Sequence, residues 1–182
     1  GGARAAPFPR AMAVEGVHVA SLIHDDLVDG DTARRDRPAT WTTEGQRRAV
    51  LLADLMFATA LQRMVELGAH DGLALAEAIA TMAAGAYHEL MPAGTTQSPG
   101  RDRATVYPEL IHLKTGVLFG AACRMGALAA GVSLPVAAHA FEYGAGIGEA
   151  YQIADDLEDW LEQETDRPTP TQLGLLVPAI WH

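Results

Sequence analysis

One pattern of acids occurs twice in this chain, and each copy closes an apolar run that reads as helix. Asp25, Asp26 and Asp29 follow the run VASLI, and Asp155, Asp156 and Asp159 follow GEAYQIA. On a helix, residues four apart share a face, so Asp25 and Asp29 point together, as do Asp155 and Asp159. Like charges at that spacing repel. A solvated acidic helix end explains one such cluster. Two clusters of identical spacing, each at the mouth of a buried helix, ask for counter-ions. Hard divalent cations meet that need, because Mg²⁺ takes one or two carboxylates together with substrate phosphates.

Helix is the expectation nearly throughout. Ala, Leu, Met, Glu and Gln dominate, and the Val/Ile/Thr alternation of strands is scarce. The pattern predicts helices over Ala11–Val28, Thr43–Leu67 (stopped by GAHDG), Leu73–Met91 and Pro135–Trp160. One or two more fill Thr105–Gly131, and a last short one covers Leu173–Trp181. Gly30–Trp41 reads as loop or frayed helix end, Pro92–Asp102 as loop, and ETDRPTPTQ as a break. With no internal repeat and no linker, residues 1–182 form a single all-α domain. The chain opens on Gly1 rather than Met, which leaves room for missing terminal or loop segments.

Composition narrows the function classes. With 49% apolar residues, the chain is a globular protein. A net charge of −10 excludes general nucleic-acid binding, which needs a basic footprint. Cys123 is the only cysteine, so no internal disulfide forms and a reducing, cytoplasmic setting fits. GGARAAPFPRAM has no signal-peptide core. The most apolar stretch, Gly120–Phe141, is interrupted by Arg124 and Pro135 and reads as buried helix, so no stable membrane anchor is expected.

Basic residues follow the first acidic set: Arg34, Arg35 and Arg37. Guanidinium forks grip phosphate oxygens in pairs, so acid beside base describes a site for a metal–diphosphate. The plainer alternative is that these arginines only neutralise the aspartates. Lys114, in HLKTG, is the sole lysine beside twelve arginines. A lone ammonium on an apolar helix suits a point contact with phosphate; the alternative is a lysine snorkelling to the surface.

These residues resemble the trans-polyprenyl diphosphate synthases of the class I isoprenoid synthase fold. The resemblance runs from Gly2 to about Ile180 and is carried, in order, by SLIHDDLVDGDTARRDRP, YPELIHLKTGVLFGAA and YQIADDLEDW. It implies an antiparallel helical bundle around a deep central pocket, with the two acidic motifs facing each other. It further implies that Asp25, Asp29 and Asp155 bind three Mg²⁺ ions, supported by Asp26, Asp156 and Asp159. Lys114 and Arg35 would hold the allylic diphosphate, and Arg4 and Arg34 the isopentenyl diphosphate. Thr115 and Gln152 would lie near the developing carbocation, and the protein would be a homodimer. Ala20 and Ser21 lie one turn before Asp25. In resembling enzymes bulky aromatics there stop the growing chain, so small residues imply a product longer than farnesyl, unless Met56 or Phe57 supplies a floor.

The chain also departs from the family pattern. Ala3 replaces the lysine of G-K-x-R, Asp36 the glycine of R-R-G-x-P, and GAYHEL lacks the glutamine of G-Q-x-x-D-L. The lysine expected after the second acidic motif is missing. The isopentenyl diphosphate site is thus weakened, which leaves open a prenyltransferase or cyclase acting on an allylic diphosphate without isopentenyl diphosphate. A non-catalytic partner subunit is a third reading, opposed by the survival of both acidic motifs. Among weaker signals, Gly144, Gly146 and Gly148 are read as small residues for close helix packing, His24 as an orienting or packed histidine, and Glu149 as a local cap or pair.

Overall fold

The computed structural model describes residues 7–90 and 103–166, except the side chains of 103–105, 159, 160 and 162–166. The chain is all-α apart from one small hairpin: α1 (Pro7–Asp29), β1 (Ala33–Arg34), β2 (Arg37–Pro38), α2 (Thr40–Glu44), α3 (Gln46–Leu67), α4 (Ala69–Glu89), α5 (Arg103–Ile111), a π-helical turn (His112–Gly116), α6 (Val117–Ala129) and α7 (Leu134–Asp166). The loop expected over 92–102 and the helix expected over 173–181 lie outside the described residues. Two compact units form: one runs through Ile79 and adds Met125–Ala137, the other takes Ala80–Arg124 and resumes at Ala138. Among the described residues no helix is long and apolar enough to cross a membrane.

In the first unit, α1 starts earlier than expected, with Pro7 and Pro9 in its first turn, where a missing N–H costs nothing. It ends at Gly30, whose φ of +75° suits a glycine closing a helix. Ala13, Val17, Ala20 and Ile23 form its buried stripe, and Asp26 continues that stripe. The stripe packs on α3, where Ala20 and Ile23 meet Ala49 and Ala53, flanked by Val19, Trp41, Met56 and Phe57.

The helix predicted over Thr43–Leu67 is two helices, because Gly45 (φ +82°) divides α2 from α3. GAHDG is not a stop beyond Gly68. Its Asp71 and Gly72 lie in the first turn of α4, where Asp71 is buried and held by Arg10 of α1 (2.6 Å). Gly72 is needed there, since a Cβ would come within 2.7 Å of Val65 Cγ2.

Gly30–Trp41, expected as loop or frayed helix, folds back as an antiparallel hairpin that pairs Ala33 with Pro38 and Arg34 with Arg37. Its two turn residues, Arg35 and Asp36, have φ of +49° and +61°. Such turns favour glycine, because a Cβ crowds the left-handed region. Asp36→Gly is therefore expected to stabilise the protein by about 1 kcal/mol. A urea midpoint unchanged or lowered in that variant would contradict the strain.

In the second unit, α6 and α7 touch almost backbone to backbone. A Cβ at Gly144 would sit 2.6 Å from the Phe119 carbonyl oxygen, one at Gly148 3.0 Å from Phe119 Cβ, and one at Gly120 2.8 Å from the Phe141 ring. Gly144 and Gly148 thus serve close packing, whereas Gly146 faces open space.

Candidate active site

The first acidic motif separates by depth. Asp26, on the buried stripe of α1, is 5% exposed. A buried carboxylate without a partner is costly, and the hairpin supplies one: Arg34 Nε and Nη2 both approach Asp26 Oδ1 at 2.7 Å. The hydrogen bond Arg34 donates to Asp26 raises the Arg34 pKa, against burial, and the charges of Asp26, Asp25 and Asp31 add to it. Asp25 is half-buried and Asp29 exposed, both off the stripe. Trp41 Nε1 donates to the Asp31 carbonyl (2.7 Å) and Ala39 N–H to the Thr32 carbonyl (2.9 Å), which fastens the hairpin base to the end of α1. Arg35 is exposed at the hairpin tip.

One turn back, Ala20 is fully buried against α3, and Ser21, half-buried, donates to the His18 carbonyl (2.8 Å). His24 is packed as expected: its ring lies 5.6 Å from that of Phe57, with Nε2 3.6 Å from Asp54.

The second unit gathers Lys114, Thr115, Gln152 and Asp156. HLKTG is not α-helical but a π turn, in which the Val117 N–H bonds the His112 carbonyl five residues back. Single π turns inside helices recur at functional sites. Close approach on two sides holds this one. At Gly85 of α4 a Cβ would come within 2.8 Å of Leu113 Cβ, and at Gly116 within 3.2 Å of the Ala145 carbonyl oxygen.

One turn after Gly85, Glu89 ion-pairs with Lys114, which is therefore not a snorkelling surface lysine. The Glu89 side chain is 10% exposed, and its Oε1 finds no hydrogen-bond partner among the described residues. His112 Nδ1 meets Glu149 Oε1 at 2.6 Å. Glu149, read from the sequence as a local cap or pair, instead ties α7 to the π turn, because Gly116 leaves room for it.

From Thr115 a chain of hydrogen bonds runs along α7. Thr115 Oγ1 donates to Gln152 Oε1 (2.7 Å), and Gln152 Nε2 donates to Asp156 Oδ1 (2.9 Å). Tyr107 of α5 donates its hydroxyl proton to Asp156 Oδ2 (2.5 Å). Burial first, then the bond to Asp156 and its charge, push the Tyr107 pKa well above its usual value, so the hydroxyl keeps its proton. Asp155 is exposed. Arg4 and the side chain of Asp159 lie outside the described residues.

In each motif, then, protein donors hold the second aspartate, while Asp29 of the first and Asp155 of the second stand at the surface. The donor chemistry fits Mg²⁺, since the available groups are carboxylate oxygens with no thiolate among them. Among the described residues no three acids, histidines or cysteines come close enough to cage an ion unaided. Sequence reasoning missed Tyr107, Glu89 and the pairing of His112. Only Glu89 left a trace, as the acid one helical turn after Gly85 in GAYHEL.

A polyprenyl synthetase family model matches residues 6–170. The chain belongs to that family. It is 35% identical over 169 residues to heptaprenyl diphosphate synthase component 2 of Geobacillus stearothermophilus, covering 91% of this chain and 51% of the relative. It is 32% identical over 171 residues to nonaprenyl diphosphate synthase of Mycobacterium tuberculosis, covering 90% of this chain and 50% of the relative. Among solved structures, the polyprenyl synthase of Caulobacter crescentus complexed with calcium and isoprenyl diphosphate superposes with a TM-score of 0.75 at 37% identity, over 84% of this chain and 45% of that one. The chain spans about half the length of the curated relatives it matches. The all-α isoprenoid synthase fold, expected from the sequence, is the fold of these neighbours.

Proposed function

We propose that this chain is a Mg²⁺-dependent prenyltransferase that condenses an allylic diphosphate head-to-tail with isopentenyl diphosphate. The observation that carries the reading is the hydrogen-bonded line from Thr115 through Gln152 to Asp156. It joins the HLKTG turn to the second acidic motif within one unit. The Caulobacter crescentus relative, solved with a divalent cation and an isoprenyl diphosphate, supports the ligand class.

In this reaction the allylic C–O bond breaks and the diphosphate leaves with the bonding pair. The allylic cation is attacked by the double bond of isopentenyl diphosphate, a C–C bond forms, and a proton is lost. Asp25 and Asp29 in the first unit and Asp155 in the second would hold the metal, three ions in our reading, which would supply the positive charge that offsets the leaving diphosphate. Lys114 and Arg35 hold the allylic diphosphate, and fixed charges aimed at a leaving anion lower the barrier. The oxygens of Thr115 and Gln152 face the cation. Arg34 and Arg4 hold the second diphosphate, and half-buried Ser21 borders the prenyl chain, whereas Ala20 is packed against α3. No protein base is assigned; the departing diphosphate takes the proton. We place the enzyme in the cytoplasm as a homodimer, although the name of the Geobacillus stearothermophilus relative, component 2, makes a two-component assembly the second arrangement to test.

Incubation with Mg²⁺, isopentenyl diphosphate and, in turn, dimethylallyl, geranyl, farnesyl and geranylgeranyl diphosphates is expected to yield longer prenyl diphosphates by mass spectrometry. Diphosphate release without elongation would replace isopentenyl diphosphate by another acceptor, or by cyclisation. No turnover with any of them would favour a component that needs its partner.

A further inference from the structure

The order of the hydrogen bonds around Asp156 is forced by chemistry. An ionised carboxylate only accepts, so the Gln152 atom facing it must be the NH₂ nitrogen. The Gln152 carbonyl oxygen is thereby turned toward the Thr115 hydroxyl. Gln152 and Asp156 are four apart on α7 and would meet in any helix. Left there alone, the carboxylate could rotate and offer either oxygen to solvent. Tyr107 removes that freedom: its hydroxyl comes from a different helix, 49 residues away in sequence, and engages the second oxygen, Oδ2. With Gln152 on Oδ1 and Tyr107 on Oδ2, both carboxylate oxygens are held and the plane of the group is fixed.

We propose that Tyr107 is a positioning residue: by clamping Asp156 it holds the Gln152 amide in the sense that Asp156 dictates, NH₂ toward the carboxylate and carbonyl toward Thr115. This rests on the prenyl-transfer reading for its catalytic consequence, but not for its structural one. An amide turned the other way would present N–H donors on the Thr115 side, which repel a developing cation there; the observed sense turns the carbonyl oxygen to that side. Tyr107 acts through two side chains, Asp156 and Gln152. It also occupies Asp156, so that metal binding falls to Asp155.

The chain makes a direct test practical, because it has six glutamines and no asparagine. The side-chain amide region of a ¹⁵N spectrum thus holds six pairs of signals, and the pair lost in Gln152→Glu identifies Gln152. In the full chain, without metal, the Gln152 amide protons are expected to exchange with water several-fold more slowly than those of exposed Gln62. Tyr107→Phe should erase that difference. In prenyl transfer the same variant should lose about tenfold in kcat while KM for the allylic diphosphate stays within about twofold, the scale typical of losing a group that orients a site residue. Asp156→Asn should lower kcat similarly, and the double variant should be no worse than the single ones, since both break one chain.

A Gln152 amide that exchanges alike in both proteins would overturn the proposal. So would a changed amide with an unchanged kcat, or fully additive losses in the double variant. If the unaltered chain turns over no prenyl substrate, the functional reading fails, and the amide comparison still decides whether Tyr107 controls Gln152.

Discussion

Asp155→Ala is expected to slow prenyl transfer by about a thousand-fold, as removal of a principal charge-stabilising group does, with the melting temperature almost unchanged. The carboxylate is exposed at the surface of α7, so truncation costs the fold little. Asp156→Ala should behave differently. It strips the partner from Tyr107 and from Gln152, and leaving such donors unsatisfied costs about 1–3 kcal/mol each where they are buried. That variant should therefore lose stability as well as activity. The two can be separated without any turnover assay. Mg²⁺ with inorganic pyrophosphate should raise the melting temperature of the parent protein and of Tyr107→Phe, but not of Asp155→Ala. An Asp155→Ala protein that keeps both its rate and its Mg²⁺–pyrophosphate shift would remove Asp155 from the metal site.

Lys114→Met should markedly destabilise the second unit. It would leave Glu89, whose side chain is 10% exposed, as a buried carboxylate facing a thioether. Breaking one side of such a pair costs about 3 kcal/mol, or roughly 10 °C in melting temperature for a chain of this size. Adding Glu89→Gln should restore much of that loss, because the stranded charge disappears. It should not restore the rate, since the ammonium proposed to hold the diphosphate is still absent. Equal stability of Lys114→Met and the parent in thermal melts would show that the pair carries no structural weight. Recovery of the rate in the double variant would exclude Lys114 as the diphosphate ligand.

The acidic motifs were legible because their information is local. Spacing of four on a helix sets which aspartates share a face, whereas the burial of Asp26 depends on how α1 packs on α3. The helices were legible from composition, but their ends were not. Gly45 and Gly72 look alike in sequence, yet one breaks a helix and the other lets α4 pass against Val65. The hairpin was hidden because its turn is Arg-Asp rather than the glycine-bearing pair that announces such turns. Tyr107 and Glu89 were hidden for another reason: each meets its partner across helices, 49 and 25 residues away, and no periodicity links them.

The π turn has a consequence for how this segment tolerates change. A residue inserted into an α-helix advances everything beyond it by about 100°, and the HLKTG turn holds such an advance within one continuous helical run. Deleting one residue there would let the run relax to ordinary α geometry. The half bearing Gly120 could stay seated on α7, while the half bearing Tyr107 would be left out of phase by the same angle. The α5–π–α6 run therefore works as two gears on one shaft. Their relative phase, rather than the shaft itself, is what keeps the clamp on Asp156 closed.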